Sequence, residues 1–200
     1  MSKTESDSTK REQKKQAKWV VTIFCVTILV SATISFLSNE IMAASGMLVA
    51  FLILLAIVAI GIIFDIVGVA VTSADEKPFH SMASRRVPGA KEAIALLRNA
   101  GKVSSICNDV VGDICGVVSG AASASIAARV LAMGDFSLPQ LVTLAMSALV
   151  AGLTVGGKAV GKTVAIRSCT DIVYLVGKIL AAFGDCKQWL RKKKNRRTGG

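Results

Sequence analysis

The sequence predicts an all-α integral membrane protein with four transmembrane helices and one amphipathic juxtamembrane helix on the cytoplasmic side. Three observations lead there. Of 200 residues, 52% are hydrophobic and the mean hydropathy is +0.59, too apolar for a soluble chain of that length. Only 18% are charged, and the charges are bunched between long apolar runs, which marks loops. Four of those runs approach the roughly 20 residues that a helix needs to cross a hydrocarbon core of about 30 Å.

The chain opens with a polar arm, residues 1–18, of mixed charge and with Lys10, Arg11, Lys14, Lys15 and Lys18 near the membrane edge; its composition predicts disorder. No small-residue cleavage site follows, so no signal peptide is expected. The first span, 19–37, is WVVTIFCVTILVSATISFL; a short loop holds Glu40. The second span, 47–71, is interrupted only by Asp65. The segment KEAIALLRNAGK places Ala93, Ile94, Leu96 and Leu97 on a helical period between Pro88-Gly89 and Gly101, and reads as a short interfacial helix. The third span, 103–131, is the least apolar, because it carries Asn108, Asp109, Asp113 and Arg129. The fourth, 138–160, enters at Pro139, a residue suited to a helix start. Ile172, Leu175, Val176, Ile179, Leu180 and Phe183 then recur with helical period, predicting a juxtamembrane helix over 169–190 anchored by Tyr174 and Trp189. Residues 191–200 form a polybasic tail containing RKKKNRR, suited to an anionic leaflet.

Lys and Arg set the orientation. The arm carries six, the 72–102 segment six and the chain from Lys158 onward eleven, while the loops around Glu40 and Asp135 have none apart from Arg129 at a helix edge. Both termini are therefore expected in the cytoplasm of a cell bounded by a plasma (inner) membrane. The net charge of +11 is assigned to lipid headgroups and topology, not to nucleic acid. Cys25, Cys107, Cys115, Cys169 and Cys186 contain no C-x-x-C pair and are expected as free thiols. His80 has no ligand neighbour at zinc spacing and reads as a surface histidine.

GGKAVGKT, residues 156–163, satisfies the phosphate-loop pattern G-x-x-x-x-G-K-[ST]. A phosphate loop needs a strand before it and a helix after it, so that backbone N–H groups cradle the phosphates. Here the stretch lies at the end of an apolar span, and the expectation is that its glycines pack a helix while Lys158 and Lys162 snorkel toward the inner surface.

The polar residues within the spans are the stronger signal. An acidic residue at the centre of a membrane helix costs roughly 2.5–3.5 kcal/mol on insertion scales, and such residues usually face a cavity or a partner. In SSICNDVVGDICG, residues 104–116, Asp109 and Asp113 are one helical turn apart, with Ser105 and Gly116 extending that face and Asn108 beside it. Gly112, Gly116 and Gly120, and again Gly152 and Gly156, stand at G-x-x-x-G spacing, which lets helices approach closely; a neighbour can then bring Asp65 near the third span. Oxygen donors without His or Cys suit a hard cation, magnesium first. The candidate ligands are Asp65, Asn108, Asp109, Asp113, Ser104 and Ser105. The bland alternative is that Asp109 and Asp113 snorkel to the interface or pair with Lys158.

From about Met47 to Lys187 the chain resembles the transmembrane domain of the CorC/CorB and cyclin M (CNNM) family of magnesium transporters. FDIVGVAVTS, residues 64–73, is similar to the family's F-S-x-S-E-T-A-L-T-S; GAKEAIALLRNAGK to its G-A-x-x-x-x-x-L-L-x-N-P; CNDVVGDICG to its G-N-x-x-V-N; and GGKAVGKTVAIR to G-E-x-x-P-K-T-x-A-x-R. The resemblance implies a dimer with a juxtamembrane belt, places Asn108 on the family's ion-pathway asparagine and Asp65 near the cation. Gly68 and Lys158 stand where the family has glutamates and Gly161 where it has proline; an extra first helix is present, and the chain ends before any CBS domain. Lys158 would act as an internal counter-ion to Asp65 or Asp113, or else those carboxylates restore the charge lost at Gly68 and Lys158.

The resulting expectation is a membrane transporter or exchanger of divalent cations, magnesium first, without enzymatic chemistry or a bound cofactor, working as a homodimer in the lipid bilayer, with a separate CBS-containing or other membrane protein as a possible partner. The alternative is a non-transporting membrane scaffold or regulator derived from that family.

Overall fold

A computed structural model describes residues 3–134 and 138–197, with side chains described over 19–38, 40–41, 44–134 and 138–183. The basic side chains of the arm and tail, Asp135, Cys186 and Trp189 lie outside that set. Every described element is helical: α1 (Lys3–Ala44), α2 (Met47–Ser73), α3 (Lys77–Ser84), α4 (Ala90–Arg98), α5 (Ala100–Ser105), a π-helical segment (Ile106–Gly112), α6 (Asp113–Ala132), α7 (Pro139–Arg167) and α8 (Cys169–Arg197). Four stretches among the described residues are long and apolar enough to cross a membrane: Trp19–Ser38, Met47–Ser73, Ala100–Ala132 and Pro139–Arg167. The chain is therefore compatible with a multi-pass membrane protein.

The boundaries differ from the sequence expectation in three informative ways. Helix α1 begins at Lys3, within the stretch expected as a disordered arm; Lys, Glu and Gln propagate a helix well, and no Gly or Pro interrupts the chain before Gly46. Helix α7 continues past Val160 to Arg167, since no proline intervenes and Gly161 is packed against Ile66 of α2. The third span is not one regular helix but α5, the π segment and α6 in series.

Contacts divide the chain into two units, Met1–Val58 with Asp113–Ala151, and Ala59–Gly112 with Gly152–Gly200. In the first unit α1 packs along α6. Ile114, Val118, Ala122 and Ile126 recur every four residues on the buried side of α6, accompanied by Ser119, Ser123 and Ala127. The Arg129 guanidinium donates from Nη1 to the Ser45 carbonyl at 3.3 Å, satisfying an acceptor beside the break between α1 and α2.

In the second unit, Ala70, Val71, Phe79, Ala93, Leu97, Ala165 and Val173 form one buried cluster drawn from α2, α3, α4, α7 and α8. The turn from α3 to α4 closes with Val87 N–H donating to the Met82 carbonyl and Arg86 N–H to the Ala83 carbonyl, both at 3.0 Å, which is the Schellman pattern. That pattern requires a left-handed residue, and Arg86 supplies it at φ +58° where glycine is usual. Gly89, at φ +88°, then opens α4 directly against α8. A Cβ at Gly89 would lie 2.6 Å from the Lys178 amide nitrogen, and one at Gly177 would lie 2.5 Å from the Gly89 carbonyl oxygen. The paired glycines thus set the α4 to α8 crossing at backbone contact.

Candidate functional site

Asp65 lies in the second half of α2 and is 5% exposed. Lys158 of α7, in the same unit, places its Nζ 3.7 Å from Asp65 Oδ1. The Lys158 side chain is 24% exposed against 8% for Asp65, so the lysine reaches solvent or lipid while the carboxylate does not. Asp65 Oδ2 is buried and accepts no hydrogen bond. A carboxylate in low dielectric normally has both oxygens satisfied; here one is met by an ammonium at ion-pair distance and the other is left open.

Asn108 supplies a second open oxygen. It sits in the π segment, where its Nδ2 donates to Ser104 Oγ at 3.2 Å while its buried Oδ1 accepts nothing. Its amide fills the place where a side chain at Gly68 would be: a Cβ there would overlap Asn108 Oδ1 and lie 2.8 Å from Asn108 Cγ. Gly68 follows Asp65 by three residues on α2, one turn along the same side. The glycine notch therefore holds the Asn108 amide one turn from the Asp65 carboxylate. Gly112, four residues after Asn108, plays the matching part for the lysine, since a Cβ on it would come within 3.2 Å of Lys158 Nζ.

The π segment explains how one stretch can do both. π-Helical turns are rare and are concentrated at functional sites. Hydroxyl groups from the preceding turn accompany it: Ser104 accepts from Asn108, and Ser105 Oγ donates to Asp109 Oδ2 at 2.8 Å. Of the residues expected as ligands, Asp65, Asn108 and Ser104 are brought into this neighbourhood together with Lys158. Ser105 and Asp109 form a separate pair, with Asp109 exposed. Asp113 opens α6 in the other unit, and its side chain is exposed. Among the described residues no three His, Cys, Asp or Glu side chains cluster as a metal site. Magnesium, which retains waters and uses one or two carboxylates, does not require such a cluster.

GGKAVGKT lies wholly inside α7, without a strand or loop. Its glycines serve packing: a Cβ at Gly157 would overlap Ile62 Cδ1, and one at Gly161 would lie 2.8 Å from Ile66 Cγ1, so α7 approaches α2 through Gly157 and Gly161. The G-x-x-x-G step that the sequence suggested, Gly152 and Gly156, lies five residues before the pair in use. A Cβ at Gly116, Gly120, Gly152 or Gly156 would meet nothing within 4 Å among the described residues. Sequence reading thus missed Gly68 and Gly112 as parts of the site; their signal was the presence of glycine, costly in a helix, at the positions facing polar residues.

Compared with protein-family models, curated proteins and solved structures, the chain matches none.

Proposed function

We propose that the chain is a multi-pass membrane protein that passes a divalent cation, magnesium in first place, past the polar cluster of Asp65, Asn108 and Ser104. One observation carries the reading: Asp65 Oδ2 and Asn108 Oδ1 are buried, unpartnered oxygens, and the Asn108 amide fills the notch at Gly68, one turn along α2 from Asp65. Buried acceptors without donors are costly, and a hard cation with its waters satisfies them. Asp109, exposed in the same unit, serves as an approach charge in this reading. The four spans cross the bilayer with both termini in the cytoplasm, and Leu175, Ile179, Leu180 and Phe183, exposed on α8, meet the headgroup boundary. Open glycines on α6 and α7 suit close approach by a second copy.

The test is magnesium uptake into proteoliposomes loaded with a magnesium-sensitive dye. Wild-type protein should raise the uptake rate well above empty vesicles, and Asp65→Asn should return it to that background. Equal rates for wild type, Asp65→Asn and empty vesicles would sink the proposal. A second reading, a non-transporting scaffold or regulator, is favoured by the Lys158 to Asp65 pair, because the ammonium already neutralises the carboxylate; it would be supported by that negative result.

A further inference from the structure

A cation is already tethered beside the only buried carboxylate among the described residues. We propose that Lys158 is a built-in competitor of the carried ion: its ammonium and the divalent cation take the same position beside Asp65, so the ion enters only when the lysine leaves. This rests on the cation reading above and adds how the site is regulated.

Four features of the geometry lead to this inference. The contact is 3.7 Å, outside hydrogen-bond range, so the ammonium is held by charge and not locked by a bond. The partners differ in freedom: Asp65 is enclosed, whereas Lys158 is about a quarter exposed on a flexible four-carbon stem and so has a way out. The ammonium rests where Gly112 lacks a side chain, and a single added carbon there would stand 3.2 Å from Nζ, so the seat depends on that glycine. Finally, the second carboxylate oxygen remains unpartnered with the lysine in place, so one ammonium leaves the carboxylate incompletely satisfied. A dication brings more charge and a hydration shell able to reach both Oδ2 and the Asn108 carbonyl oxygen. An ammonium and a dication cannot both sit within about 4 Å of one carboxylate in a low-dielectric site without strong mutual repulsion. Occupancy is therefore exclusive, and the lysine sets the ion concentration at which the site fills: its own local concentration beside Asp65 is high, so only abundant ion displaces it.

Two measurements on the full-length protein separate this proposal from the one beneath it. The first is magnesium binding by titration calorimetry in detergent, and the second is the half-saturating magnesium concentration for uptake into proteoliposomes. Lys158→Met removes the charge while keeping an unbranched stem and should tighten binding at least tenfold. Gly112→Ala retains the lysine but crowds its seat, and should shift binding in the same direction by about threefold. Asp65→Asn combined with Lys158→Met should bind no better than wild type. If Lys158→Met binds magnesium no more tightly than wild type while remaining monodisperse, the competitor role is overturned; if that variant does not stay folded, an unshifted Gly112→Ala overturns it. Uptake by wild type with an unchanged half-saturation in Lys158→Met likewise removes the competitor role and leaves the transport reading standing. Tighter binding in Lys158→Met without uptake by any variant supports the competitor and removes transport.

Discussion

Gly68 shows how much a missing side chain can decide. The Asn108 amide occupies its Cβ position and is held there by the bond to Ser104, so Gly68→Ala must expel the amide from the notch. Overpacking of this kind costs about 1–3 kcal/mol, opposed by the gain of up to about 1 kcal/mol that alanine brings to a helix interior. The expected net result is a lower unfolding temperature in detergent together with weaker magnesium binding. Gly116→Ala is the natural control, because a Cβ there meets nothing within 4 Å; its unfolding temperature should be unchanged or slightly higher. An unfolding temperature for Gly68→Ala at or above that of wild type would contradict the packing described. Asp65 belongs to the same scale: one buried carboxylate, half satisfied, motivates both the proposed path and its competitor.

At the scale of elements, the second unit depends on how α4 meets α8. Sequence periodicity predicts an apolar face on KEAIALLRNAGK, and Ala90, Ala93 and Leu97 of α4 are buried, with Ala93 and Leu97 in the cluster that includes Val173 of α8. Helix α8 likewise turns Val173 and Gly177 inward and leaves Leu175, Ile179 and Phe183 exposed. A short helix of nine residues is not stable alone, so its backbone contact with α8 holds it. Gly177→Ala would place a carbon 2.5 Å from the Gly89 carbonyl oxygen and 3.0 Å from the Ala93 amide nitrogen. Because both obstacles are main chain, the helices must separate; a loss of about 1–3 kcal/mol is expected, read as a lower thermal midpoint. Unchanged stability would mean that α4 is not held by this crossing. The π segment is the other element-scale device, since it lets Asn108 fill the Gly68 notch while Gly112 seats Lys158.

At the scale of the whole molecule, the proposed topology puts both termini on the cytoplasmic side, from four candidate spans and the distribution of Lys and Arg. Reporter fusions check this: a fluorescent protein that matures only in the cytoplasm should be bright at either end, and a dark fusion at one end alone would imply an odd number of crossings. The sequence by itself determined the helical class, the number of apolar spans, Asp65 and Asn108 as polar residues inside them, and the rejection of GGKAVGKT as a phosphate loop. Those conclusions rest on hydrophobic run length and on the cost of burying charge, which are local properties of the chain. Helix ends were less legible: α1 and α7 run further than hydropathy suggested, because helix propagation stops at breakers and not where apolar residues run out. The partners of the polar residues were left undecided. The sequence offered Asp65 and Asp113 alike as partners of Lys158, and Gly152 and Gly156 as the packing step. Only the tertiary structure paired Lys158 with Asp65, placed Asn108 in the notch of Gly68, and moved the packing of α7 to Gly157 and Gly161. The physical reason is rotation: neighbouring residues on a helix point about 100° apart, so which glycine meets an isoleucine and which carboxylate meets a lysine depends on how each helix is turned against its neighbour, and that is fixed by packing across elements far apart in sequence.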